Sequence, residues 1–222
     1  MKIEIWSDFT CPWCYIAKAT LDQALKENNM QTEYIYHSYQ TVPQGYYPKG
    51  KSFSIYEIAK KSGMDINQAI QKAALIEKMG KEAGISLNMN DVKMTDTTNA
   101  HRLLKLAHEY NLQDAFMMAS YEMVFTSGGD LSNKEVLKEL ALGVGLPDNH
   151  VMSLLDSDIY AEDVMNDIKS ARKKGISGVP YFQFNGNQSL YGAQPIEAFQ
   201  NILDKYDSPT HSYGMCGFEE NC

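Results

Sequence analysis

The sequence predicts an α/β fold in which a β-α-β opening and a β-β-α close are separated by an all-helical insertion. Apolar residues alternate from Lys2 to Trp6, then switch to helical spacing from Cys11. Helical spacing then dominates from about residue 51 to residue 174, and the strand signal returns at Tyr181. The expected organisation is residues 1–50 and 175–207 as two parts of one domain, 51–174 as the insertion and 208–222 as a flexible tail.

Ile3 and Ile5 fall on one side of the first strand, with Lys2, Glu4 and Trp6 on the other. Cys14, Ala17, Leu21, Ala24 and Leu25 then share one helical face, and Pro12 sits just inside the helix start, where its missing N–H costs nothing. Residues 32–37, rich in aromatic and β-branched side chains, read as the second strand. A Pro- and Gly-rich loop covers residues 41–51.

Beyond that loop, Ile66, Ile70, Ala73, Ile76 and Met79 form a stripe that Gly80 and Gly84 are expected to close. Further stripes are Ala100, Leu103, Leu104, Ala107 and Tyr110; Ala115, Met118, Tyr121 and Phe125; and Val136, Leu137, Leu140 and Ala141. A last insertion helix spans about Ala161 to Arg172. Asn185-Gly186-Asn187 supplies a hairpin turn between strands at 181–184 and 189–191, and Pro195 opens a closing helix.

The 222 residues carry 20 Lys and Arg against 28 Asp and Glu, a net charge of −8. That balance argues against a phosphate-tracking surface, so no nucleic-acid partner is expected. No apolar run approaches the roughly 18 residues that span a bilayer. The opening Met1-Lys2-Ile3-Glu4-Ile5-Trp6 lacks the pattern of a secretory leader, so a cytoplasmic location without membrane contact is expected.

Four cysteines are too few to staple a chain of this length, which points to chemical use. Cys11-Pro12-Trp13-Cys14 lies where a strand runs into a helix, so unpaired N–H groups and the helix dipole favour an anion at the first sulfur. Cys11 is therefore the expected nucleophilic thiolate. Cys14, one turn further in, is placed to attack a mixed disulfide on Cys11 and release the substrate. Pro12 and Trp13 cover the pair. A zinc half-site would call for a second Cys-x-x-Cys or a His-x-x-x-His, and the sequence has neither. Idle core cysteines and a structural disulfide are the other plain readings.

Gly178-Val179-Pro180 precedes the third strand, a position compatible with a cis peptide bond. Together with residues 7–15, 97–104 and 192–195, the segment Gly175 to Phe182 resembles the thioredoxin-like DsbA family, and within it the FrnE-like cytosolic branch. The resemblance covers about residues 2–204. It implies a thioredoxin fold interrupted by a helical domain, Cys11 attacking, Cys14 resolving and Pro180 in cis facing them. It also implies that the backbone of Val179 pairs with an extended substrate, and that no metal or organic cofactor is bound.

The chain departs from the family pattern at Ile5, which stands where the periplasmic member has a buried glutamate. Asp8 is a candidate replacement, or a cap for the helix. Cys216 and Cys222, a possible secondary redox pair, have five residues between them where the FrnE-like tail has four between its cysteines. An electron relay, a plain tail disulfide and two free thiols all remain open for them, and His211 adds only a third ligand to any zinc site there.

His101 and Arg102 read either as lining a cleft or as a solvated helix edge; Tyr46 and Tyr47 are candidates for its border. The methionines, Met117, Met118 and Met123 among them, read as core filler or as an adaptable groove.

The function expected is thiol-disulfide exchange with disulfide-containing proteins or small thiols such as glutathione. A glutathione-dependent isomerase or transferase is the alternative, because hydroxychromene-carboxylate isomerases and kappa transferases share this architecture with a serine where Cys11 stands. A redox-regulated holdase is the second alternative.

Overall fold

The computed structural model describes residues 1–48 and 50–207; the tail cysteines Cys216 and Cys222 lie outside the described residues. The chain opens with β1 (Lys2–Ser7), α1 (Pro12–Glu27) and β2 (Glu33–Ser38). The insertion follows as β3 (Ser52–Ser54), α2 (Ile55–Lys61), α3 (Ile66–Glu82), β4 (Lys93–Thr95), α4 (Thr98–Glu109), α5 (Gln113–Phe125), α6 (Lys134–Gly143), α7 (Asp148–Leu155) and α8 (Ala161–Lys173). The chain then returns to the sheet with β5 (Tyr181–Phe184) and β6 (Gln188–Tyr191), and α9 (Ile196–Asp207) closes the described part.

The main sheet has the order β2-β1-β5-β6, with β1 parallel to β2 and antiparallel to β5. The β5–β6 hairpin turns through Asn185 and Gly186, both at positive φ (46° and 74°), the conformation that an Asn-Gly pair tolerates and a tight hairpin needs.

Alternation along β1 decides what each face meets. Ile3 and Ile5 join Leu21, Ala24 and Leu25 of α1 and Phe199 and Leu203 of α9 in the main core, with Phe182 and Phe184 of β5. Trp6, on the other face, packs with Ala171 and Ile176 of α8 and its outflow, and stacks on His37 at 4.3 Å. Both faces of β1 are thereby covered, and the buried Trp6 is an apolar surface that α8 needs.

The insertion is tied to the sheet domain by buried charge as well as apolar contact. Lys18 of α1, 1% exposed, reaches Asp22 at 2.6 Å and Asp114 of α5 at 2.9 Å, and lies 4.1 Å from the centre of the Tyr34 ring. Tyr36 of β2 donates to the same Asp114 at 2.6 Å. A buried cation is tolerated only when paired in this way.

Within the insertion the structure adds features that helical spacing does not signal. β3 and β4 pair antiparallel, Ser52 to Thr95 and Ser54 to Lys93, in pieces too short to show a period. The seven-residue α2 starts at a capping box of Ser54 and Glu57, and the eight-residue α7 follows Pro147.

In α3 the buried residues are Ala69, Ala73 and Gly80, whereas Ile66 and Ile70 of the expected stripe are 46% and 49% exposed. Gly80 does not end this helix. It lies inside it, where a Cβ would come within 2.6 Å of Leu87, so the small residues set the packing face and the larger ones fall outside. In α5, Tyr121 and Phe125 of the expected stripe are buried together with Phe116, Met117 and Ser120, while Ala115 is exposed.

Candidate active site

α1 begins with Cys11 as its N-cap and Pro12 in its first turn, and no side chain caps it. Pro12 brings no N–H to this turn and Cys14 N donates to the Cys11 carbonyl at 3.0 Å, so what acts on the Cys11 sulfur is the positive end of the helix dipole. The expectation that Asp8 caps the helix is corrected: its backbone oxygen accepts from Cys11 N at 3.2 Å, while its carboxylate is turned into the protein.

Cys11 is 7% exposed and Cys14 1%, and both are free thiols. The sulfur nearer the surface is thus the one at the helix terminus. Burial, then the neighbouring Cys11 sulfur, push the Cys14 thiol well above its ordinary value, against a smaller opposing effect of Ser7 and the Asp8 backbone. Pro12 and Trp13 are half-buried beside the pair.

The turn before β5 closes the site. Val179–Pro180 is a cis peptide, and the Val179 carbonyl lies 3.9 Å from Cys11 Sγ. Pro180 is buried, its own carbonyl held by Gly192 N at 2.8 Å. Among the described residues, Val179 N–H has no hydrogen-bond partner. The structure therefore brings Cys11, Cys14, Pro12, Trp13, Val179 and Pro180 together at one end of the sheet.

Under this end sits a buried polar cluster that sequence reading placed only in part. Asp8, 1% exposed, accepts from Thr41 N at 2.7 Å, Thr41 Oγ1 at 2.6 Å and Thr97 Oγ1 at 3.0 Å. His101 Nε2 of α4 lies 3.6 Å from the same carboxylate. Burial alone would raise the Asp8 carboxyl, but His101 and Thr41 override it and hold it below its ordinary value. Asp8 stays ionised near neutrality.

The solvated-edge reading of His101 and Arg102 is corrected, since they are 0% and 4% exposed. His101 packs edge-on against Phe9, and Arg102 donates to the carbonyls of Leu154, Ser157 and Ile159 at the end of α7. Their signal was available: a histidine and an arginine beside an apolar stripe need buried partners, and a helix end with open carbonyls is one.

Arg102, Tyr47, Thr98 and Lys134 line a cavity of about 640 Å³ that has neither Cys11 nor Cys14 in its wall. Tyr47 is buried there and Tyr46 is 61% exposed. Among the described residues, no three His, Cys, Asp or Glu side chains cluster as a metal ion requires, and no helix is long and apolar enough to cross a membrane.

The model of the DSBA-like thioredoxin domain matches residues 2–204. The chain belongs to that family. A probable DsbA oxidoreductase from Streptomyces coelicolor has a crystal structure 30% identical to it, with a TM-score of 0.86 over 95% of this chain and 92% of that one. The uncharacterised protein YwbO of Bacillus subtilis (strain 168) is 22% identical over 205 residues, 91% of this chain and 96% of that protein. The cytosolic disulfide reductase DsbM from Pseudomonas aeruginosa shares the fold, at 16% identity and a TM-score of 0.61 over 93% of this chain and 98% of that one. As a DsbA-family chain, this protein presents its Cys-Pro-Trp-Cys motif on the family's own framework, with Ile5 rather than an acid in the strand leading to it.

Proposed function

We propose that this protein is a cytoplasmic thiol-disulfide oxidoreductase of the FrnE-like kind that exchanges disulfides of proteins or of small thiols such as glutathione. The observation that carries the reading is the arrangement of the two sulfurs. Cys11 caps a helix 3.9 Å from the Val179 carbonyl, and Cys14 is held protonated by burial behind it.

The Cys11 thiolate attacks a substrate disulfide; a Cys11–substrate S–S bond forms and one substrate thiolate leaves. Cys14 then gives up its proton and attacks the Cys11 sulfur. The Cys11–Cys14 bond forms, the bond to substrate breaks, and the second substrate thiolate leaves and takes up a proton. Two electrons have passed from the dithiol to the substrate, and the reverse sequence oxidises a substrate dithiol. Val179 N–H and C=O pair with an extended substrate segment as an added strand, Pro180 shapes that turn, and Pro12 and Trp13 form the wall beside it.

Cys11→Ser is expected to abolish reduction of a protein disulfide, and Cys14→Ser to accumulate a mixed disulfide on Cys11, scored by non-reducing gels and mass spectrometry. Full activity in both variants would refute the mechanism. A holdase would instead keep its suppression of aggregation in both. The pairing of Cys11 with Cys14 favours redox exchange over glutathione-dependent isomerisation, which the related isomerases carry out with a serine at the first position.

A further inference from the structure

The backbone at Gly178 does not call for a glycine, since its φ lies outside the left-handed region. Its surroundings do. A Cβ built there would collide with the Tyr191 hydroxyl, and the next atoms it would meet are Cζ and Cε2 of the same ring, at 3.4 and 3.6 Å. Tyr191, at the end of β6, thus lays the tip of its side chain where a side chain of residue 178 would begin. Gly178 directly precedes Val179, whose carbonyl lies 3.9 Å from Cys11 Sγ and whose N–H is open among the described residues.

The Tyr191 backbone is fastened to this turn. It is the register partner of Tyr181, its carbonyl accepts from Gln194 Nε2 at 2.8 Å, and the next residue, Gly192 at a φ of 79°, donates its N–H to the Pro180 carbonyl at 2.8 Å. The ring itself stays in solvent. Tyr181 is half-buried with its ring edge-on to Trp6 at 5.5 Å, whereas Tyr191 is 54% exposed. An exposed aromatic ring on an anchored backbone has little freedom to lose when a partner covers it.

Side chains of paired strands meet in cross-strand couples. A substrate segment paired to Val179 finds bare backbone at Gly178, and the side chain that stands there is that of Tyr191. We propose that Tyr191 is a specificity-determining residue, which takes the place of the missing side chain at Gly178 and receives an aromatic or other large apolar side chain of a polypeptide substrate near the cysteine under attack. This rests on the oxidoreductase reading above. The thiol-disulfide exchange itself is unchanged. Tyr191 adds affinity for a polypeptide, and a small disulfide without side chains has nothing to place against it.

The test measures kcat and KM of the full reduced chain with two fluorescent peptide disulfides and with bis(2-hydroxyethyl) disulfide. The peptides differ only in carrying phenylalanine or glycine at the two positions on either side of the cysteine. The wild-type protein is expected to show a KM about fivefold lower for the phenylalanine peptide. Tyr191→Phe keeps that preference. Tyr191→Ala loses it, with kcat and turnover of the small disulfide at the wild-type level. Gly178→Ala leaves the ring in the protein but pushes it off the turn, so it is expected to lose the preference too, and the double variant to lose no more than either alone. A purely structural role would slow both peptides and the small disulfide alike and would overturn the proposal. So would a wild-type preference in Tyr191→Ala or in Gly178→Ala. Wild-type protein that turns over all three disulfides without preference refutes the role of Tyr191 and leaves the oxidoreductase reading standing; wild-type protein that turns over none refutes both.

Discussion

Asp8 is a carboxylate with almost no water and three hydrogen-bond donors, two from Thr41 and one from Thr97. Because its folded carboxyl is held below the unfolded value near 3.8, the stability it contributes is complete above that pH and lost as pH falls through the lower folded value. Asp8→Ala leaves those donors and His101 without their acceptor. It is expected to cost about 3 kcal/mol in urea unfolding at pH 7 and progressively less below pH 4. A cost independent of pH would mean that packing, not charge, is what Asp8 supplies. The same residue shows why the acid near the motif was hard to interpret from sequence. A loop aspartate just before a helix has the composition of a cap, and only the approach of Thr41, Thr97 and His101 turns its side chain inward.

α8 is held to the sheet by one charged residue as well as by Trp6. Asp167 accepts from Ser38 N at 2.7 Å, from His37 Nδ1 at 3.4 Å and from Lys105 of α4, so it joins three elements. Burial opposes its charge, but His37, Lys105 and the Ser38 N–H prevail and bring its carboxyl to about 2. Asp167→Asn is therefore expected to lose about 2 kcal/mol at pH 7, and that loss should vanish as the wild-type residue is itself protonated toward pH 2. Denaturant midpoints of both proteins at pH 7 and pH 2.5 measure it; equal differences at the two values would contradict the linkage. The helices themselves were legible in unequal measure. α1, α4 and α6 bury the stripes that their spacing marks, because each packs large side chains on one face. α3 does not, because alanines and Gly80 make its closest contact. Spacing finds a large apolar stripe and passes over a flat, small one.

At the scale of the whole molecule, the chain carries a net charge of −8 and so an anionic field. Encounter with an anionic disulfide is slowed by that field and encounter with a cationic one hastened, both effects fading as salt shortens the Debye length. Initial rates with cystamine are expected to exceed those with oxidised glutathione, by an order of about tenfold at low salt and far less at 0.3 M. Equal salt dependence for the two would show that the local field at Cys11 outweighs the global charge. The same scale decides what the insertion is for. Its helices bring Tyr121 to Ser7 and His101 and Thr97 to Asp8, so the sheet domain alone holds the two sulfurs but not their surroundings.

The β-α-β opening and the β-β-α close, the Cys-Pro-Trp-Cys motif at a helix start, the Asn-Gly hairpin and the proline before the strand at 181–184 are all local patterns, and they were legible in the sequence alone. Each depends on neighbours a few residues away, through backbone geometry and spacing. Which polar groups are buried with which was decided by tertiary structure, because Ser7 meets Tyr121 and Asp8 meets His101 across separations of 114 and 93 residues. No local preference encodes such a pairing. It follows from the helices of the insertion closing over one end of the sheet, where a hydroxyl, a carboxylate and an imidazole excluded from water are left with one another.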